Sequence, residues 1–260
     1  MPERYFLYID VLGFKNLIQS GFDLSELYRR IDRLNVHSDR DFTCIVFSDT
    51  VLVYGSDGWE KYPNRAVMWL IEFAQDLFYG LISLDIHIRA YVTKGKFQHE
   101  ILKNIQAYYG PALVECYERE KSIKCMGVFL DSKLAPDSDV FHLTPYDDNS
   151  HFVHVMQHLD DVSFPYGDYP IEGWMLEATG MEWWTAYLLR YLQNIHGHAN
   201  DINLPENIRL KYQNAWKMIA SKHDGLSRRL VEASFDFGKV VKLDWTEKLR
   251  RIGTEDGAWG

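Results

Sequence analysis

Residues 4–15 of the chain, RYFLYIDVLGFK, suggest how the rest of the sequence is organised. Large apolar side chains fill the stretch up to Ile9, which is typical of a strand buried in a sheet. One carboxylate, Asp10, closes this run, and Gly13 allows the chain to turn sharply and to bring backbone amides forward. The stretch therefore predicts a buried strand that presents one acidic side chain at its end.

A second apolar run, Phe42–Phe47, ends in the same way, because Ser48 and Asp49 follow it. Thr50–Tyr54 comes directly afterwards, so the pattern predicts a hairpin with Asp49 in its turn. Taken alone, Asp10 has an ordinary alternative as a helix N-cap, and Asp49 has one as a turn residue. Two strands that each end in one carboxylate indicate a site for divalent metal ions beside a triphosphate, because such ions prefer hard oxygen ligands on rigid backbone.

The composition of the 260 residues argues against several classes of protein. A hydrophobic fraction of 47% supplies a sizeable core, and the net charge of -9 argues against broad binding to nucleic acid or to anionic membranes. Cys44, Cys116 and Cys125 lack metal-type spacing and are expected to be buried thiols in a reducing compartment. No apolar run reaches the roughly 18 residues needed to cross a bilayer, and no secretory segment precedes the first strand pattern. We therefore expect a soluble, cytoplasmic protein without nucleic-acid partners or stable membrane association.

The periodicity of apolar residues predicts the order of the elements up to residue 130. Helices are predicted at Asn16–Leu34 (in two pieces), Asn64–Leu84 and Ala112–Lys121, and further strands at Ile86–Lys94 and Cys125–Leu130. The order is β-α-β-β-α-β, continued by α-β. It predicts an α+β fold of the ferredoxin-like kind, with an antiparallel-leaning sheet and helices on one face. The other face is expected to be open to a ligand or a second subunit.

The composition changes near Asp147. The segment Asp160–Pro170 is rich in Asp, Gly, Pro and Tyr and is expected to be a loop, and helices are predicted at Trp174–Gln193, Asn207–Lys222 and Leu226–Phe237. We expect their many aromatic side chains to pack against other elements rather than to bind a ligand. We therefore expect the chain to divide into an α+β core, residues 1–146, and a mainly helical C-terminal extension, residues 147–260, packed on the core or on a dimer partner.

The order of these motifs resembles the class III nucleotidyl cyclases over roughly residues 4–130. YIDVLGF around Asp10 is similar to the first metal motif of that family, and FSDT around Asp49 is similar to the second. RAYVTKG, from Arg89, resembles the strand that ends beside the nucleotide. YGPALVECYER, from Tyr109, occupies the place of the helix that brings transition-state residues across a dimer. The resemblance implies a homodimer in which Asp10, the carbonyl of Val11 and Asp49 bind two divalent cations, Mn²⁺ or Mg²⁺.

Two departures from the family pattern bear on the substrate. Purine cyclases of this family carry a base-reading Lys shortly before the second metal Asp, where Cys44 and Ile45 stand here. They also carry an Asn and an Arg on the later helix, at positions that fall near Val114 and Glu118. The stretches IDVLGFK, FSDT and GPALVECYERE resemble instead the bacterial pyrimidine cyclases of the Pycsar antiphage system. That resemblance implies conversion of UTP or CTP into a 3′,5′-cyclic monophosphate that activates a separate effector.

Further residues are candidates for contacts with a nucleoside triphosphate. The amides of Gly13 and Phe14 suit its phosphates, because consecutive loop N–H groups form anion-binding nests. Cationic candidates are Lys15, Arg89, Lys94 and Arg119, of which Lys94 is preferred because it ends a strand before a glycine. Tyr54, Arg89 and Tyr91 are candidates for stacking on or hydrogen bonding to the base, with ordinary sheet packing as an equal alternative.

Two other functions stay open at this point. The first is a purine cyclase with unfamiliar base readers. The second is a catalytically silent, cyclase-like sensor that binds nucleotide and signals through its helical C-terminus. The retention of both Asp10 and Asp49 argues against the sensor, because binding alone does not need a pair of metal ligands.

Overall fold

The computed structural model describes residues 1–38 and 40–252, apart from the side chains of Asn35 and Ser38. The chain forms two compact units. The first comprises Met1–Leu81 and Ile86–Val155, and the second comprises Ile82–Asp85 and the chain from Met156 onward. The first unit therefore extends past residue 146, through a hairpin that lies at the edge of its sheet.

The first unit contains nine strands and four α-helices in its described residues. Its strands are β1 (Glu3–Val11), β2 (Phe42–Phe47), β3 (Thr50–Gly55), β4 (Ile88–Lys96), β5 (Gln98–Ile101), β6 (Gln106–Tyr109), β7 (Gly127–Asp131), β8 (Leu143–Asp147) and β9 (Ser150–Val153). Its helices are α1 (Phe14–Ser20), α2 (Leu24–Asp32), α3 (Pro63–Ile82) and α4 (Pro111–Ser122).

Seven of these strands form one sheet in the order β2-β3-β1-β4-β7-β9-β8. β4 and β7 are parallel, and the other neighbouring pairs are antiparallel. The element order up to β4 is β-α-α-β-β-α-β, in which α1 and α2 take the place of the first helix of the β-α-β-β-α-β order. The predicted α+β class and the antiparallel-leaning, ferredoxin-like core are therefore confirmed.

The central strands β1 and β4 are buried on both faces. Alternation along β1 puts Tyr8 and Asp10 on one face, and the register places Tyr91 and Arg89 of β4 beside them. Helix α4 covers this face, and Gly95 permits a close approach, since a Cβ there would lie 3.2 Å from the Cβ of Ala112. The expectation of a second face entirely open to a ligand or subunit is thus wrong for the part beneath α4.

The opposite face of the sheet packs on α3. Phe42 of β2 and Phe73 of α3 meet edge to face with ring centroids 5.2 Å apart. Helix α2 is joined to α3 by a hydrogen bond from Arg30 to the carbonyl of Gly80. The burial of its apolar side chains confirms that the broad apolar stripe of α3 faces the core; those exposed by 1% or less include Val67, Leu70, Phe73, Ala74, Leu77 and Leu81.

A small hairpin, β5–β6, was not predicted from the sequence. Its two strands are four residues long and half-buried or exposed, so they lack the apolar alternation that indicates a strand. The hairpin forms a separate two-stranded sheet, in which Gln98 pairs with Tyr109 and Ile101 pairs with Gln106.

The three cysteines are free thiols. Cys116 and Cys125 are fully buried, whereas Cys44 is half-buried. Burial raises the pKa of all three thiols, so they are held in the protonated form at neutral pH.

The second unit is mainly helical, as predicted. Its elements are β10 (Ile171–Glu172), α5 (Trp174–Thr179), α6 (Glu182–Asn200), α7 (Glu206–Lys222), α8 (Asp224–Glu232), β11 (Val241–Lys242) and α9 (Thr246–Arg251). The single helix expected at Trp174–Gln193 is two helices, because Gly180 adopts a left-handed conformation (φ 71°) that ends the first one. Among residues 1–38 and 40–252, no helix is both long enough and apolar enough to cross a membrane.

Candidate metal and nucleotide site

The two candidate metal ligands lie at the same end of the sheet. Asp10 is the penultimate residue of β1, paired with Thr50 of β3 on one side and with Arg89 of β4 on the other. Asp49 lies in the tight turn between β2 and β3. The amide of Val11 donates a 2.8 Å hydrogen bond to the carbonyl of Asp49, which joins the end of β1 to that turn.

The turn that carries Asp49 is held in an uncommon conformation. Ser48 has a positive φ of 55°, and its carbonyl accepts a 3.0 Å hydrogen bond from the hydroxyl of Tyr28 on α2. A residue other than glycine in this region costs roughly 1–3 kcal/mol, so surrounding contacts must hold it there. The hydrogen bond from Tyr28 holds Ser48, and the hydrogen bond from Val11 holds Asp49.

The charges of Asp10 and Asp49 both affect the pKa of the same side chain, Tyr8. Burial raises the pKa of Tyr8, and the charges of Asp10 and Asp49 act in the same direction. Tyr8 lies two residues before Asp10 on the same face of β1. Asp10 and Asp49 are each half-buried, so they lie near the buried end of the strand while keeping access to solvent.

Arg89 was a sequence candidate for nucleotide binding, and the structure places it against Asp10. Its Nη2 atom lies 3.1 Å from Asp10 Oδ2 and also contacts Glu120 on α4, while Nη1 donates a 2.8 Å bond to the carbonyl of Ile123. Burial lowers the pKa of Arg89, and the charge of Asp10 opposes that shift. The Arg89 side chain is only 4% exposed, so its described contacts are internal ones.

The predicted phosphate contacts follow Asp10 directly. Gly13 has a left-handed conformation (φ 75°) and precedes the first residue of α1. Its carbonyl accepts hydrogen bonds from the amides of Asn16 and Leu17, which closes the first turn of α1. Phe14 is buried at 7% exposure, and its amide belongs to the first turn, where amides have no carbonyl partner within the helix.

The structure does not bring Lys94 to Asp10. Lys94 pairs with Tyr5, five register positions from the Asp10–Arg89 pair, which is about 17 Å along the strand. Alternation also places it on the opposite face of β4. Its ammonium lies 5.1 Å from the ring centroid of Tyr5 and 3.8 Å from Glu3. The expected phosphate role of Lys94 has no support in this geometry.

Tyr54 shares the face of Asp10 but lies four register positions away, opposite Phe6. Its hydroxyl is 2.7 Å from His99 Nδ1, and its ring lies 4.9 Å from that of Phe97. The side chain is 4% exposed, as expected for sheet packing. A role in base binding stays a prediction.

A second polar cluster lies beneath α4. Asp131 of β7 is buried and accepts 2.9 Å hydrogen bonds from the hydroxyl of Thr93 and from the amide of Lys133. Burial and the neighbouring Asp131 raise the pKa of Glu115 on α4. Arg119, a cationic candidate from the sequence, binds Asp147 at 2.9 Å and lies over the ring of Tyr91.

The ion pair between Glu120 and Arg89 was not predicted from the sequence. The only available signal was Arg89 itself, since an arginine within an apolar strand needs a carboxylate partner when it is buried. The sequence of α4 offers Glu115, Glu118 and Glu120, and periodicity alone does not tell which of them faces Arg89.

The donor set at this end of the sheet fits a divalent cation. It comprises two half-buried carboxylates, Asp10 and Asp49, together with the backbone carbonyl of Val11, all on or beside hydrogen-bonded strands. Mg²⁺ and Mn²⁺ prefer such hard oxygen ligands.

No protein-family model matches the sequence, and no curated protein sequence matches it either. Among solved structures, the guanylyl cyclase Cya2 is similar at 14% identity, with a TM-score of 0.41 and coverage of 58% of this chain and 91% of that chain. The adenylyl cyclase CyaB from P. aeruginosa is similar at 11% identity, with a TM-score of 0.41 and coverage of 58% and 93%. The guanylate cyclase domain of RhGC from Catenaria anguillulae, in complex with GTP, is similar at 12% identity, with a TM-score of 0.42 and coverage of 58% and 96%.

Proposed function

We propose that this protein is a metal-dependent nucleotidyl cyclase that converts UTP or CTP into the 3′,5′-cyclic monophosphate and pyrophosphate. The observation that carries the proposal is the hydrogen bond between the Val11 amide and the Asp49 carbonyl, which joins the end of β1 to the turn that bears Asp49. The sequence resemblance around Asp10 and Asp49 supports the same reaction.

In this reaction the ribose 3′-oxygen loses its proton to solvent water and bonds to the α-phosphorus, while the bond from the α-phosphorus to the oxygen bridging to the β-phosphorus breaks and pyrophosphate leaves. Two divalent cations would supply the Lewis acidity that lowers the pKa of the 3′-hydroxyl and neutralises the leaving phosphates. Asp10, Asp49 and the Val11 carbonyl would hold these ions, so the protein needs no separate general base.

The other parts of the chain would orient the substrate. The first-turn amides at Gly13 and Phe14 would bind the phosphates through N–H donors. Tyr54, on the face of Asp10, stays the proposed neighbour of the base, whereas Tyr91 is 1% exposed beneath α4 and is not included. Lys94 is not included, because it lies on the opposite face of β4.

We also propose that the protein acts as a homodimer and that its product is a second messenger in antiviral defence, read by a separate effector. The dimer is proposed from the family resemblance, and two exposed apolar side chains beside the site, Val46 at 38% and Phe47 at 79% exposure, are the ones that a partner subunit would cover. The pyrimidine substrate and the messenger role rest on the resemblance to Pycsar cyclases and on Cys44 and Ile45 in place of a base-reading lysine.

The test is incubation of the purified protein with ATP, GTP, CTP and UTP and with Mn²⁺, followed by mass spectrometry of the products. Asp49→Ala is expected to lower turnover by about 10³-fold, since a bound metal ion contributes several kcal/mol to transition-state stabilisation. Asp148→Ala is the matched control, because Asp148 is an exposed aspartate in the turn between β8 and β9.

A cyclic pyrimidine monophosphate that disappears in Asp49→Ala but persists in Asp148→Ala supports the proposal. Cyclic AMP or cyclic GMP would retain the reaction and overturn the pyrimidine substrate. No product from any of the four nucleotides, in a folded dimer that binds nucleotide, would favour the silent sensor.

A further inference from the structure

One buried guanidinium is shared between the proposed metal site and helix α4. Arg89 Nη2 contacts Asp10 Oδ2 at 3.1 Å and also contacts Glu120 Oε1. The side chains of Asp10 and Glu120 are each 17% exposed, and that of Arg89 is 4% exposed. Asp10, a candidate metal ligand, therefore already has the positively charged Arg89 beside it, and Arg89 also forms an ion pair with Glu120.

We propose that Glu120 is a positioning residue for the metal site: by binding Arg89 it draws the guanidinium charge partly away from Asp10 and so keeps Asp10 able to bind a divalent cation. This inference rests on the proposed function, because it assumes that Asp10 is a metal ligand. Glu120 acts through Arg89 and is not itself proposed to contact the metal or the nucleotide.

Arg89 cannot withdraw from Asp10 by itself. Its backbone is fixed in β4 directly opposite Asp10, and its Nη1 atom donates a 2.8 Å hydrogen bond to the carbonyl of Ile123 at the end of α4. Nor can it lose its charge, because an arginine side chain stays protonated in proteins. The number of carboxylates that share Arg89 therefore determines how strongly it competes with a metal ion for Asp10.

The charges of the three side chains determine how Glu120 affects the binding of a divalent cation at Asp10. Asp10, Arg89 and Glu120 together carry a formal charge of −1, from two carboxylates and one guanidinium. Without the Glu120 charge the group is neutral, and the whole guanidinium charge faces Asp10. A divalent cation is attracted less strongly to a neutral group, and it must also displace a tighter Arg89–Asp10 pair.

The test is titration of the full chain with Mn²⁺ alone, with the free ion followed by electron paramagnetic resonance. Glu120→Gln is expected to weaken Mn²⁺ binding by about tenfold, the size of a typical coupling between contacting charged groups. Glu118→Gln is the matched control: it removes the same charge from an exposed position of the same helix, where solvent and salt screen it. This control is expected to bind Mn²⁺ as the wild type does.

A double variant separates charge competition from structural damage. If Arg89 is the competitor, Arg89→Gln combined with Glu120→Gln restores Mn²⁺ affinity to within about threefold of the wild type, because both the cation and its partner are gone. If Glu120→Gln acts only by loosening α4, the double variant binds Mn²⁺ more weakly than the single one, and the proposal is overturned. Melting temperatures of all variants are measured alongside.

Asp49→Asn distinguishes failure of this inference from failure of the proposed function. Loss of Mn²⁺ binding in Asp49→Asn, together with wild-type binding in Glu120→Gln, overturns the positioning role and leaves the metal site in place. Wild-type Mn²⁺ binding that is undetectable, or unchanged by Asp49→Asn, overturns both. If Glu120→Gln does not fold, Arg89→Gln alone decides: tighter Mn²⁺ binding supports the proposal, and equal or weaker binding overturns it.

Discussion

The amide nitrogen of Val11 lies 2.8 Å from the carbonyl oxygen of Asp49 and donates a hydrogen bond to it. This bond lies just beyond the last ladder pair of β1 and β3, Asp10 with Thr50. The strand and the turn are therefore coupled by backbone atoms, and the separation of the two carboxylates depends on the turn conformation. Residues that hold the turn are expected to affect the site even if they never touch a ligand.

Tyr28→Phe tests this dependence. The substitution removes the 3.0 Å hydrogen bond from Tyr28 to the Ser48 carbonyl and retains the ring. We expect a loss of about 1 kcal/mol in the free energy of unfolding, the usual net value of one hydrogen bond, and Mn²⁺ binding weakened by about threefold. Urea unfolding and a Mn²⁺ titration measure the two effects. Tyr117→Phe, at an exposed position of α4, is the control; equal Mn²⁺ affinities of the two variants would contradict the prediction.

The two glycines that precede α1 and α4, Gly13 and Gly110, are expected to differ sharply in how well they tolerate substitution by alanine. Gly110 precedes α4 with φ 148°, and a Cβ there would overlap the Lys96 carbonyl and lie 2.8 Å from Phe97 Cα. Gly13 also has positive φ, but a Cβ there meets no described atom within 4 Å. Gly110→Ala is therefore expected to cost about 3 kcal/mol or more, because it combines strain with overlap. Gly13→Ala is expected to cost about 1–2 kcal/mol from strain alone.

Thermal unfolding of the two glycine variants, checked by chemical denaturation, measures the difference. Because the Gly13 amide is itself a proposed phosphate contact, Gly13→Ala is also expected to raise KM for the nucleotide. A Gly110→Ala protein as stable as Gly13→Ala would contradict the close approach of backbone at Gly110.

We expect the stability of the folded protein to depend on pH through Asp76 on α3. Burial, followed by the charge of Glu72 one turn away, raises the pKa of Asp76 to about 6. The folded state therefore binds a proton that the unfolded state releases at lower pH, so this contribution to stability is lost as pH rises from about 4 through 6. Asp76→Asn is expected to stabilise the protein at pH 8 by about 1–2 kcal/mol, after discounting for partial exposure, and to have no effect near pH 4.

Chemical unfolding of wild type and Asp76→Asn at pH 4, 6 and 8 measures this difference. Asp32→Asn on α2 is the matched control, since Asp32 is exposed and its removal is expected to leave stability unchanged across the range. A difference between Asp76→Asn and wild type that is equal at pH 4 and pH 8 would contradict the raised pKa.

Much of the first unit was predictable because its signals are local. The apolar run Phe6–Ile9, the Ser48-Asp49 turn and the long apolar stripe of α3 each depend on residues close together in sequence, and each predicted element is present. Errors occurred where the local signal was weak or interrupted. The β5–β6 hairpin is too polar to show alternation, and Gly180 divides a helix whose apolar pattern continues across it.

The sequence by itself determined which carboxylates end strands, because strand periodicity and turn chemistry are properties of short segments. It predicted Asp10 and Asp49 as a pair and the order of the elements that bring them to one end of the sheet. Only the tertiary structure decided their neighbours. Strand register placed Arg89 opposite Asp10 and Lys94 on the far side of β4, and the packing of α4 selected Glu120 as the second partner of Arg89. Register and helix packing depend on contacts between distant segments, and periodicity within one segment does not contain that information.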